Sequence, residues 1–168
     1  MRQVAAAHGG GPFLHATTPE ARTRLWEARH RAYFAGLALA PGKVAVTTDV
    51  CVPISCLAEC IMQTREDIDA SGLLAPILGH VGDGNFHTIL LVDPSDESEV
   101  ARAHGLAARM IARSQALGGT CTGEHGIGLG KKPYLADEAG QGGVAMMRAI
   151  KRALDPLNIM NPGKIFDV

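Results

Sequence analysis

The sequence predicts an α+β fold, with helices packed on one face of a small, mostly antiparallel sheet. Three observations carry that expectation. The runs "LLAPILGHV" and "NFHTILLVD" flank a Gly-Asp-Gly turn with no room for a crossover, so they must form an antiparallel hairpin. "KVAVTTDV" is rich in β-branched residues and reads as a further strand. The remaining segments place apolar residues at helical spacing.

Taken in order, "MRQVAAAHGGG" reads as the last turns of a helix closed by glycine, so the chain begins inside an element. Thr18-Pro19-Glu20 is a helix start, with Thr as N-cap, Pro at the first helical position and an acid in the first turn. One helix is expected from there to Pro41-Gly42. After the strand, "SCLAECIMQTREDIDAS" is a helix with Ser55 as N-cap and Gly72 as stop. The hairpin follows, then a helix from Pro94 to about Leu117 and the glycine-rich segment "GGTCTGEHGIGLGKK". "GGVAMMRAIKRALD" is the last helix, stopped at Pro156, and "NIMNPGKIFDV" is an irregular tail. The order is one strand short of a split βαβ unit.

With 168 residues the chain can build one ordinary domain with its own core. Hydrophobic residues at 46% and charged ones at 20% set it apart from disordered chains, and 4% aromatics make the core aliphatic. A net charge of -1 offers no bulk attraction to nucleic acid or an anionic membrane, so a small-molecule partner is expected. No apolar window is long enough to span a bilayer and no signal-peptide core is present, so a soluble, unsecreted chain is expected. None of the four cysteines forms a Cys-x-x-Cys pair, which favours a reduced compartment over a disulfide scaffold.

The chemistry concentrates in "HVGDGNFH". With the turn centred on Gly82 to Asn85, His80 and His87 fall at cross-strand positions on one face, their Cβ atoms roughly 4.5–5.5 Å apart. That suits two ligands of one metal ion, and equally two independent histidines, one at a strand end and one hydrogen-bonded in the core. A third ligand is offered by "TGEHGIG", where Glu124 stands among small residues beside His125. Neighbours in an extended segment point to opposite sides, so one can face the metal and the other a reactant. Two His and a carboxylate suit zinc, manganese or iron(II), and a solvated acid in a surface loop is the plainer reading of the same segment. "GIGLGKK" is not a phosphate loop, since neither Lys131 nor Lys132 precedes Ser or Thr, and no His-Glu-x-x-His helix is present. The first long helix carries Arg22, Arg24, Arg29 and Arg31, which form a solvated face or supply a bidentate clamp for a carboxylate.

Together, "LWEARHRAYFAGLAL", "TTDVCVPIS", "GHVGDGNFH", "GTCTGEHGIGLGKK" and "LDPLNIMNPGKIF" resemble the C-terminal portion of FAD-linked D-2-hydroxyacid dehydrogenases. The likeness is strongest to the cytochrome-type D-lactate dehydrogenases and the glycolate oxidase flavoprotein subunit, with D-2-hydroxyglutarate dehydrogenase as a relative. It runs from about Leu25 to Phe166. The resemblance implies a partial ferredoxin-like cap of the FAD-linked oxidase C-terminal type, with residues 1–155 the substrate-binding cap and 156–168 a segment returning to the FAD domain. It implies that His80, His87 and Glu124 bind a divalent metal, zinc or manganese, and that His125 is the catalytic acid/base beside the flavin. Arg29 and Asn85 are then substrate-binding and Asn161, in "NPGK", touches the FAD.

Where the 2-hydroxyglutarate relatives carry a lysine for a second carboxylate, this chain has Thr47, which implies a monocarboxylate such as D-lactate. The resemblance also implies an FAD-binding domain, in cis or in trans, and an external electron acceptor of the cytochrome, quinone or flavoprotein kind. No such flavin domain is read here, so the chain is expected to be a fragment, a truncated product or one piece of a split protein, inactive alone. The expected location is cytoplasmic or peripheral to the inner membrane, mitochondrial in a eukaryote. Two alternatives stand beside this: an inert cap fragment, and a flavin-independent metalloenzyme using the same His/His/Glu set.

Overall fold

A computed structural model describes residues 1–168. Two compact units make up the chain, Met1–Leu39 and Ala40–Val168. The first holds α1 (Arg2–Ala7), α2 (Pro19–His30) and α3 (Ala32–Ala38). Thr18 caps α2 as its sequence predicts, its hydroxyl oxygen accepting from the Ala21 N–H at 3.2 Å. The single helix expected up to Pro41 is instead two, because Arg31 (φ -92°, ψ -3°) leaves helical geometry between α2 and α3. No glycine or proline marks that break, so the apolar period reads straight across it.

The second unit holds β1 (Val44–Thr47), β2 (Val50–Cys51), α4 (Ile54–Ser71), β3 (Ile77–His80), β4 (Asn85–Val92), α5 (Glu97–Ala116) and α6 (Lys132–Leu154). The α+β arrangement matches the expectation. β4 is the central strand, and β1, β2 and β3 all pair with it antiparallel. Thr47 lies opposite Ile89 and Val50 opposite Phe86, so β1 and β2 are one strand in unbroken register. The ladder opens only at Thr48-Asp49. There the Thr88 N–H bonds to the Thr48 hydroxyl oxygen at 2.8 Å in place of its carbonyl, and the Thr48 N–H still reaches the Thr88 carbonyl at 3.1 Å. A side chain has replaced one backbone acceptor, which frees the Thr48 carbonyl.

One face of the sheet carries the core. Leu57, Cys60 and Ile68 of α4 and Ala103, Leu106 and Met110 of α5 pack with Val50, Phe86, Leu90 and Val92. The spacing of these helical residues is the apolar stripe that the period predicted. All eight residues of β4 are buried, so its second face, Asn85, His87, Ile89 and Leu91, is also withdrawn from water.

Two local expectations are corrected. Ser55 does not cap α4, whose N-cap is Pro53 with no side-chain hydrogen bond; Ser55 lies already inside the first turn. Gly72 does close it, in the left-handed region at φ 68°. Lys132–Leu154 is two helical stretches meeting at Gly140 (φ 71°, ψ 159°): the second holds the expected "GGVAMMRAIKRALD", and the first, over residues 132–139, was not expected. Gly142 and Gly143, expected at the helix start, lie just past that kink and inside the second stretch. No helix is long and apolar enough to cross a membrane.

Candidate functional site

Two strands fix the hairpin histidines. The turn spans residues 81–84, and the register sets His80 opposite Asn85 and Leu78 opposite His87. His80 and His87 are therefore diagonal neighbours and not the directly opposed pair that a turn over Gly82 to Asn85 implies. A one-residue shift of the turn moves the pairing by two, which preserves the face. Their rings meet edge to face with centroids 5.9 Å apart. Gly84 sets this turn: its φ is 80°, and a Cβ there would lie 2.0 Å from the Val52 carbonyl oxygen.

The segment 120–125 is brought alongside by the opposite strand. Thr120 bridges Cys51, the Thr120 N–H reaching the Cys51 carbonyl at 2.8 Å. The Glu138 carboxylate holds the start of the segment, accepting from the Thr120 hydroxyl at 2.6 Å and the Cys121 N–H at 2.7 Å. Asp49 holds its end. The Asp49 side chain is 0% exposed, and its Oδ2 accepts from the Thr122 hydroxyl (2.8 Å) and the N–H groups of Gly123 (2.9 Å), Glu124 (3.0 Å) and His125 (2.8 Å). Lys131 Nζ adds a 3.3 Å ion pair. Burial, the strongest single influence, pushes the Asp49 carboxyl up; the N–H groups of His125 and Glu124, the Thr122 hydroxyl and Lys131 outweigh it and hold it well below the usual carboxylate range.

So placed, Glu124 Oε1 lies 2.9 Å from His87 Nε2 and 3.4 Å from His80 Nε2. One ligand atom from each of the three lies within 4.8 Å of the others. His87 Nδ1 is 3.1 Å from the freed Thr48 carbonyl oxygen. A carbonyl only accepts, so Nδ1 carries the hydrogen and Nε2 turns a lone pair toward the carboxylate. Two acceptors facing each other at that distance call for a cation between them, a proton or a metal ion. The Thr48 carbonyl is the orienting partner that a metal-binding imidazole ordinarily has, and the donor set fits a divalent cation.

His125 stacks on His87, centroids 5.2 Å apart and planes 12° from parallel, and is exposed. Asn85 is buried at 5%, and its Oδ1 is the one buried side-chain oxygen or nitrogen with no hydrogen-bond partner. A Cβ on Gly123 would come within 2.6 Å of the Asn85 carboxamide, so the glycine is what lets the loop lie over it. Thr47 is exposed and two residues from Asp49, on the sheet face that carries His87.

The structure thus brings together His80, His87, Glu124, His125 and Asn85. Arg29 lies on α2 in the Met1–Leu39 unit, exposed, its guanidinium 5.7 Å over the Trp26 ring. Asn161 is exposed in the tail at φ 47°. Sequence reasoning missed Asp49, Thr48, Lys131 and Glu138. A signal existed for the first: an acid inside a β-branched strand run has to be partnered if that strand is buried.

The family model for FAD linked oxidases, C-terminal domain, matches residues 1–165. The chain is 48% identical, over 99% of its length, to a probable mitochondrial D-lactate dehydrogenase of Danio rerio, covering 33% of that protein. It is 47% identical, over 98% of its length, to a mitochondrial D-lactate dehydrogenase (cytochrome) of Arabidopsis thaliana, covering 29% of it. The chain therefore spans about a third of the length of these relatives. In fold it is similar to 4-ethylphenol oxidase from Gulosibacter chungangensis, solved with isoeugenol, with a TM-score of 0.59 at 19% identity over 90% of this chain and 32% of that one. With the match covering nearly the whole chain, the protein belongs to the family of FAD-linked oxidase C-terminal domains.

Proposed function

We propose that this chain is the metal- and substrate-binding part of an FAD-dependent D-2-hydroxyacid dehydrogenase that oxidises a monocarboxylate such as D-lactate to its 2-keto acid. The observation that carries the reading is the convergence of His80, His87 and Glu124 on one point, with His125 stacked beside them and the unpartnered Asn85 Oδ1 buried within the same strand pair. The relationship to D-lactate dehydrogenases supplies the substrate class.

His80, His87 and Glu124 would hold zinc or manganese, and Asn161, with residues 156–168, would meet FAD carried on a separate domain. When bound, the metal supplies Lewis acidity at the substrate hydroxyl and FAD supplies the two-electron acceptor. Arg29 grips the substrate carboxylate bidentately. Asn85, its carboxamide directly beneath Gly123, helps hold the substrate at the end of the strand pair. An imidazole nitrogen of His125 takes the hydroxyl proton as the C2 hydrogen leaves with its electron pair. Thr47, uncharged on that face, offers nothing to a second carboxylate. The electrons then pass to an external acceptor such as a cytochrome, a quinone or another flavoprotein.

The test has two parts. Zinc or manganese titrated into the chain should bind one ion per chain, and His87→Ala should abolish binding. In the enzyme assembled with its flavin-bearing domain, His125→Ala should keep the metal yet lower D-lactate-dependent dye reduction by about 10²–10⁴-fold. Turnover that survives in His125→Ala removes His125 as the base.

A further inference from the structure

We propose that Asp49 is the positioning residue that locks the metal ligand Glu124 and the base His125 in register with His87. This deepens the reading above and rests on it. The geometry is a closed circuit. Glu124 gives its backbone N–H to Asp49 and its carboxylate to His87. His125 gives its N–H to the same Asp49 oxygen and stacks its ring on the same His87. The strand pairing that aligns β1 and β2 with β4 places Asp49 directly opposite His87, with Oδ1 3.7 Å from Nδ1. Each of the two loop residues is therefore gripped at both ends, by one carboxylate and one imidazole that sit across a single rung of the sheet.

Only an anion does this. Three successive N–H groups and a hydroxyl point at one oxygen, and an asparagine there would turn a donor toward donors or keep a weaker, neutral acceptor. Lys131 completes the arrangement, donating to the Asp49 carbonyl at 2.8 Å while its charge neutralises the side chain. Glu124 is 48% exposed and has no ladder of its own, so without Asp49 its carboxylate has no fixed position relative to the histidines.

The experiment compares the whole chain with Asp49→Asn, and with Asp67→Asn as a control. Asp67 pins α4 to α5 through Arg109 and Arg113, so its loss destabilises the fold while leaving the loop alone. Asp49→Asn should bind zinc about 10–100-fold more weakly, shift the d–d absorption of the cobalt(II)-loaded chain and speed amide exchange at Gly123, Glu124 and His125, whereas Asp67→Asn should do none of these. Thr122→Val, which removes one contact to the same oxygen, should move each readout in the same direction by less, and it decides the matter if Asp49→Asn does not fold. Zinc affinity within about twofold of the parent chain in Asp49→Asn, or an equal loss in Asp67→Asn, overturns the proposal. A parent chain that binds no metal overturns the metal reading instead, and exchange at the three amides alone then decides for or against Asp49.

Discussion

The two halves of the site are built by different physics. His80, Asn85 and His87 sit on paired strands, where the ladder sets direction and spacing. Glu124 and His125 sit on a glycine-rich loop with a single bridge to the sheet, and two carboxylates, Asp49 and Glu138, stand in for the missing ladder. A strand distributes control of position over many backbone hydrogen bonds, so no single one decides. A loop held by an anion concentrates that control in one group, and can be lost by one substitution.

The strongest way to break the contrast is to attack the ladder side. Gly84→Ala should cost roughly 1–2 kcal/mol for its left-handed backbone and a further ~1–3 kcal/mol for the crowding against Val52. A denaturant midpoint reads it, and a loss under about 1 kcal/mol would mean that the turn is not what fixes the register. Gly123→Ala strikes where the two halves touch. Its Cβ displaces the Asn85 carboxamide, costing about 1–2 kcal/mol and raising KM for the hydroxy acid. An unchanged KM removes Asn85 from substrate binding.

Glu138→Gln is the smallest and sharpens the loop side, at about 0.5–1.5 kcal/mol. Burial, the largest influence, pushes the Glu138 carboxyl up, but the Thr120 hydroxyl and the Cys121 N–H outweigh it and hold it below its ordinary value. A lowered folded pKa gives stability that is present above the unfolded value and lost as pH falls through the folded one. The parent's advantage over Glu138→Gln should therefore shrink on acidification below the ordinary carboxylate range, and a gap that stays constant across that range rules out the linkage.

Much of the ladder side was legible in the sequence. The two apolar runs and the tight glycine turn between them, with no room for a crossover, imply the hairpin and put both histidines on one face; only the register slipped, because the turn is set by a contact between Gly84 and the distant Val52. The α4 and α5 stripes followed from period. The loop side was legible only as a residue pair: nothing local in "TGEH" says that its N–H groups converge on an acid more than seventy residues earlier. Arg31 and the helical stretch before Gly140 mark the other blind spots, a helix break with no breaker and a helix that runs up to a glycine junction.

The open rung at Thr48 has a consequence for anyone who would graft this donor set onto another sheet. Copying His80, His87 and Glu124 into a regular antiparallel ladder would fail, because the carbonyl facing the histidine's strand at that rung would already accept a backbone N–H and His87 would lose the acceptor that fixes its tautomer. The Thr48–Thr88 hydroxyl pair, 2.9 Å apart and buried, would have to travel with the ligands. In that transplant the least conspicuous residues are the ones whose omission leaves the imidazole free to turn over.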